Sequence, residues 1–313
     1  MSWGAALATG ALAVSAWAER DPAPTRHLDE ARRTFRAIRA PAPGGPDAVA
    51  QAALGEALFV DARLSGGGRR SCASCHDLDS NGASARARDL APDGRALAFN
   101  TPTVFNAAAS FRLNWEGRVR SLETQARRSI ENPMIMAGNP RQVAARLRSD
   151  PAMVSRFRAA YGRDPNDVDL VRALARFETT LVTPEARFDR YLRGDKDALD
   201  AQEQRGYRLF QAAGCSSCHQ GVNIGGNLYQ RSGVFHTLVD PQAPVMRVPS
   251  LRNVAETAPY FHDGSARTLQ DAIKAMGRAQ LNRVLAPDQV EDIAAFLRTL
   301  TGRHRGRAVR AAR

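Results

Sequence analysis

One apolar block stands apart from the rest of the chain. Residues 3 to 18, from Trp3 to Ala18, carry no charge and end in Ala16-Trp17-Ala18. Past this block no stretch approaches the ~20 apolar residues of a membrane span. Gly and Pro are scattered and form no low-complexity tract, so the body of the chain reads as globular and helix-rich. The closing RHRGRAVRAAR (303–313) has no apolar period and reads as a frayed basic end. The opening block resembles a secretory signal with a small-x-small cleavage site after Ala18. No Lys or Arg precedes it, so an uncleaved anchor is the alternative; either way the body is exported, which places it in the periplasm.

The two halves of the body repeat. LGEALFVDARLSGGGRRSCASCH (54–76) parallels RGYRLFQAAGCSSCH (205–219), each opening on a Gly-x-x-Leu-Phe turn of helix. TPTVFN (101–106) parallels VPSLRN (248–253), and WEGRVRSLETQ (115–125) parallels HDGSARTLQDA (262–272), both at an offset of 147 residues. This predicts two copies of one mostly helical unit. The 313 residues, 43% hydrophobic, are enough for two such domains. The expected division is a signal over 1–18, a first domain over 19–185, a second over 186–303, and a basic tail over 304–313.

All four cysteines fall in the repeated motif, as Cys72-Ala-Ser-Cys75-His76 and Cys215-Ser-Ser-Cys218-His219. A Cys-x-x-Cys followed at once by His is the signature of c-type haem attachment. Two thiols add to the haem vinyl groups, and the adjacent imidazole ligates the iron. Two disulfides, or redox or zinc-binding motifs, would not require a His after each pair. Two covalent c-type haems are therefore expected, with His76 and His219 as their iron ligands.

The offset that aligns the halves sets Met276 against Ser129. Met is a common sixth ligand in electron-transferring cytochromes. Met276, in DAIKAMGRAQL, is expected to close the second haem, and Ser129 leaves the first without that ligand. One electron-relay haem and one ligand-binding haem would follow.

Net charge is +12, carried almost wholly by Arg, since Lys occurs only at Lys196 and Lys274. A basic surface would steer an acidic partner; nucleic acid fits poorly with export.

The stretches LGEALFVDARLS, FNTPTVFN, NWEGRVRSLETQA, FETTLVTPEARFDRYLRGD, VPSLRNVAETAPYFHDGS and AMGRAQL, in this order from Leu54 to the final helix, resemble the bacterial dihaem cytochrome c peroxidases. That superfamily includes the MauG-like protein-modifying enzymes. The resemblance implies an all-α fold, mostly, of two cytochrome-c-like haem domains packed across a shared interface. It implies reduction of hydrogen peroxide with electrons from a small cytochrome c or cupredoxin. It makes Trp115 an electron conduit between the haems and Gln125 the distal glutamine. It assigns an interdomain calcium to Asn100, Thr257 and Pro259, by one side-chain amide and two backbone carbonyls, a hard oxygen set suited to that ion. His262 corresponds to a packing residue near the second haem. The resemblance also implies a homodimer, for which the sequence shows no interface pattern.

Two departures bear on activity. The loop DLDSNGASARARDLAPDGRALAFN (77–100) lacks the His that caps the first haem in resting peroxidases. The family's Asn-Pro-x-Glu-Met reads Asn132-Pro133-Met134-Ile135-Met136, so Ile135 replaces the acid. Loss of a positioned acid–base group costs roughly 10² to 10⁴ in rate. Glu131 and Glu116 are the nearby substitutes, and Met134 and Met136 the nearby thioethers that could reach an open iron. The readings to separate are a peroxidase, a slow one if the acid is lost; a MauG-like enzyme oxidising a partner, which the retained Met276 disfavours; and a dihaem protein that only transfers electrons or senses a ligand.

Overall fold

The computed structural model describes residues 24–42, 44–238 and 245–312. The apolar block and its cleavage site lie outside these. No helix among the described residues is long and apolar enough to cross a membrane.

The molecule is mostly helical, with ten α-helices among the described residues. The first unit contains α2 (Pro46–Phe59), α3 (Leu122–Glu131), α4 (Pro140–Leu147), α5 (Pro151–Tyr161) and α6 (Asp167–Glu178). The second contains α7 (Arg187–Arg193), α8 (Ala201–Ala212), α9 (Leu269–Leu281) and α10 (Pro287–Arg298), together with α1 (Pro24–Thr34). Local chemistry sets the helix starts. Ser121, Asn139, Asp150, Asn166 and Thr268 each accept a backbone N–H from the first turn with a side-chain oxygen. Asp200 and Glu203 form a reciprocal capping box on α8.

The repeat persists in backbone detail. Asn106 and Asn253 are both left-handed, at φ 60 and 59. Leu113 bridges Val119 as Tyr260 bridges Ala266, and Gly117 and Gly264 both take positive φ. Every pair is separated by the same 147 residues. In each unit the helix before the haem motif crosses the unit's last long helix so closely that only glycine fits. A Cβ on Gly55 would fall 2.0 Å from the Ala173 carbonyl, and one on Gly206 would fall 1.8 Å from that of Asp292. Phe177 and Phe296 pack at the two crossings.

Two cores result. One gathers Leu54, Leu58, Phe157, Leu170, Leu174 and Phe177; the other gathers Phe188, Tyr207, Phe210, Ile273, Ile293 and Phe296. A hydrogen-bonded node joins them: the Asn106 and Asn253 amides donate to the single Thr183 hydroxyl at 2.8 and 3.0 Å.

Both termini depart from the expected division. Leu28, Ala31 and Phe35 lie in the second core, so the first described helix packs on the unit that follows 186. The tail is docked: Arg303–His304 and Arg307–Ala308 pair as a short antiparallel ribbon, β3 and β4 (the ribbon of Tyr229–Arg231 with Val245–Arg247 being β1 and β2). Val309 is buried in the first core, Arg307 pairs with Asp79 at 3.0 Å, and the Ala311 N–H donates to Glu256. Arg305 also pairs with Glu56 at 2.8 Å and the Arg303 N–H donates to the Pro184 carbonyl, and none of these contacts shows as a period.

Candidate haem sites and the cavity between them

Each Cys-x-x-Cys-His segment closes a tight turn. The N–H groups of Cys75 and His76 donate to the Cys72 carbonyl, and those of Cys218 and His219 to the Cys215 carbonyl. Residues three and four apart then share a face, so both sulfurs and the imidazole point the same way. All four cysteines are unpaired. Burial pushes the Cys72 thiol up to about 12 and those of Cys75 and Cys215 up to about 11. These are not the low-pKa thiolates of a redox Cys-x-x-Cys.

The imidazoles are oriented identically. His76 Nδ1 lies 3.1 Å from the Gly82 carbonyl and His219 Nδ1 lies 3.2 Å from that of Ile224. Donation from Nδ1 fixes the tautomer and leaves the Nε2 lone pair for a metal. Burial lowers both histidines, His219 to about 4, so each is the neutral imidazole that ligation requires. The rings of Phe59 and Phe210, at the ends of α2 and α8, stand 6.5 and 6.4 Å from His76 and His219.

One continuous, largely apolar cavity runs between the units, and His76, Trp115 and Gln125 line it together with Cys215, Cys218, His219 and Met276. Trp115 is fixed by a 2.8 Å bond from Nε1 to the Asn100 carbonyl, and its ring stands 6.3 Å from that of His262. His262 is buried, also against Phe99. Asn100, Thr257 and Pro259 lie on the wall of the same cavity. The donor set and apolar walls fit two c-type haems.

Several candidates fall elsewhere. Glu131 does not line the cavity; it is exposed and pairs with Arg127 at 3.6 Å. On α3, Gln125 and Ser129 are one turn apart on one face, and two further residues rotate Glu131 about 200° away. Glu116 is likewise paired at the surface, with Arg118 at 2.6 Å. Met136 is buried in the first core, Ile135 packs against that core, and Met134 Sδ accepts from Arg95 at 3.4 Å. None of the three lines the cavity, so the stretch from Glu131 to Met136 brings neither a carboxyl nor a thioether to its wall.

Among the described residues, the acid that does line it is Glu178, the buried last residue of α6. In the sequence it sits inside FETTLVTPEARFDRYLRGD, where one Glu at a helix end carries no spacing signal.

Two haem-attachment turns facing one cavity define a dihaem redox protein of the c type. Residues 49–197 match the family model described as di-haem cytochrome c peroxidase, and residues 203–301 match that of cytochrome c. The chain is 41% identical to cytochrome c551 peroxidase of Nitrosomonas europaea, over 82% of this chain and 81% of the relative. It is 39% identical to cytochrome c551 peroxidase of Pseudomonas aeruginosa, over 83% and 81%. A crystal structure of a MauG-like protein associated with microbial copper homeostasis superposes with a TM-score of 0.72 at 26% identity, covering 85% of this chain and 93% of that one. The chain belongs to the dihaem cytochrome c peroxidase family of oxidoreductases.

Proposed function

We propose that this protein reduces hydrogen peroxide to water in the periplasm, drawing electrons singly from a small acidic redox protein. The observation that carries this reading is the shared cavity, which joins His76 and Gln125 to His219 and Met276 through the wall that holds Trp115. Cys72, Cys75 and His76 would hold one haem, and Cys215, Cys218 and His219 the other. When bound, these groups supply one-electron redox chemistry and an iron that can take peroxide.

The protein's own residues divide the work. Met276 stands ready as a sixth ligand for the second site, which suits it to electron transfer. At the first site the equivalent residue, Ser129, is engaged with Gln125, whose amide is thereby held for a small polar ligand. Trp115 offers an aromatic bridge between the two sites. One peroxide takes two electrons and two protons, its O–O bond breaks, and two waters form. Retention of Met276 supports this chemistry over oxidation of a partner protein.

A calcium ion at the interface belongs to the same reading. The Asn100 Nδ2 donates to the carbonyls of Arg86 and Ala87 at 3.0 and 3.2 Å, which turns Oδ1 the other way. Among the described residues no group of three carboxylate, His or Cys side chains is gathered for a metal, so neutral oxygens would hold this one. The net charge of +12 supports an acidic electron donor.

Turnover of peroxide with a reduced small cytochrome, measured by stopped flow from the fully oxidised and the half-reduced protein, tests the function. Consumption of two donor equivalents per peroxide is expected. Absence of turnover from either starting state overturns it.

A further inference from the structure

Five carboxylates are buried among the described residues: Asp89, Asp169, Glu178, Asp189 and Glu203. Four are held. Asp169 pairs with Arg163 at 2.6 Å, Asp189 with Arg252 at 2.7 Å and Glu203 with Arg187 at 2.6 Å. Asp89 accepts from the hydroxyls of Ser84 and Thr101 at 2.9 and 2.5 Å. The Glu178 carboxyl makes no hydrogen bond or ion pair among the described residues, and it faces the cavity.

The second unit shows what this position needs structurally. Gly55 crosses at Phe177 as Gly206 crosses at Phe296, so Glu178 corresponds to Leu297. Both residues line the cavity. A leucine fills the place in the unit with Met276, whereas an acid fills it in the unit with Gln125. Burying an unpaired carboxyl costs stability that a leucine would not. An acid kept at such a cost in a cleft marks a functional position.

Thr179, the residue after Glu178, lines a second cleft. That cleft, lined also by Glu123, Arg172 and Arg176, shares Leu113 and Leu122 with the cavity wall. Taking the peroxidase reading as given, we propose that Glu178 is the proton carrier of the first haem pocket, passing protons from the Glu123 cleft to peroxide bound beside Gln125. It fills the role left vacant by Ile135. In each passage Glu178 gives one proton and recovers one from solvent. The two protons of peroxide reduction are thus drawn from water and the two electrons from the donor.

Burial pushes the Glu178 carboxyl up to about 8, and the charge of Glu123 on α3 adds to the rise, so the group holds its proton at neutral pH. Of the other ionisable groups near it, Cys72 becomes a thioether on haem attachment, and Arg176, two residues earlier on α6, lines the Glu123 cleft.

The test uses the dihaem protein with Glu178→Gln and Glu178→Leu, the second copying Leu297. Spectroelectrochemistry from pH 5 to 9 should show the first haem's potential falling with pH in the parent. The slope should be lost in both variants, with the second haem unchanged. Peroxide consumption by the half-reduced protein should fall about 10²-fold or more in both variants, with little change in KM. Potentials that keep the parent's pH dependence, or rates within about threefold of it, overturn the proposal. So does loss of haem from both variants, which would make Glu178 structural. If the parent itself does not turn over, the peroxidase reading fails, and the potential titration still reports whether Glu178 exchanges a proton beside the first haem.

Discussion

The side-chain amide of Gln125 donates a 2.9 Å hydrogen bond to the hydroxyl of Ser129, one turn further along α3. Ser129 occupies the position that carries Met276 in the second unit, so the place of a thioether on the cavity wall in one half orients a polar amide in the other. Ser129→Ala should free the amide and slow peroxide turnover about two- to tenfold, the worth of one hydrogen bond. Ser129→Met should convert the first haem from high to low spin in the EPR spectrum of the oxidised protein. A spectrum unchanged by the Met would show that this face of α3 does not reach the iron.

Ile135 packs on the first core and lies off the cavity wall. Placing a carboxyl there should not restore a proton carrier. Ile135→Glu is expected to lower the thermal midpoint, because a half-buried apolar contact becomes a charge, and to leave turnover within about twofold. A tenfold gain in rate would mean that this turn swings toward the peroxide site.

Glu178 makes stability depend on pH. Its folded-state pKa of about 8 lies above the ordinary 4.5. Between these values the folded protein keeps a proton that the unfolded chain has released, so stability falls as pH rises through this window. Glu178→Leu should therefore be close to neutral at pH 4 and stabilising at pH 8, by an amount on the order of a few kcal/mol. Denaturant titrations of the haem-loaded protein at the two pH values measure this. An equal effect at both would place the carboxyl in water.

Arg252 and Asp189 form an ion pair at 2.7 Å with both side chains essentially out of solvent. Arg252 also donates to the carbonyls of Val222 and Arg36 at 2.9 Å each, tying the segment after α1 to the second haem loop. Arg252→Met should cost about 3–5 kcal/mol, since it strands a buried carboxylate. Adding Asp189→Leu should recover part of that loss, the two carbonyls remaining without their donor. Urea unfolding of the single and double variants reads both effects.

The sequence by itself determined what local spacing encodes. Cys-x-x-Cys-His needs only four consecutive peptide units to set its sulfurs and imidazole on one face, and two copies announced two haems. The repeat was equally legible, because each left-handed Asn and each capping Ser or Thr is a local requirement that recurs at its own position. Only the tertiary structure decided which acid reaches the cavity. Glu131 is near Gln125 along the chain but on another face of α3, whereas Glu178, 53 residues beyond Gln125, arrives through the packing of α6 on α3. The termini follow the same rule. α1 and Val309 each contribute too few apolar residues to show a period, and their place was settled by which core had room to bury them. Burial and approach between distant segments are properties of the packed chain, and no window of neighbouring residues contains them.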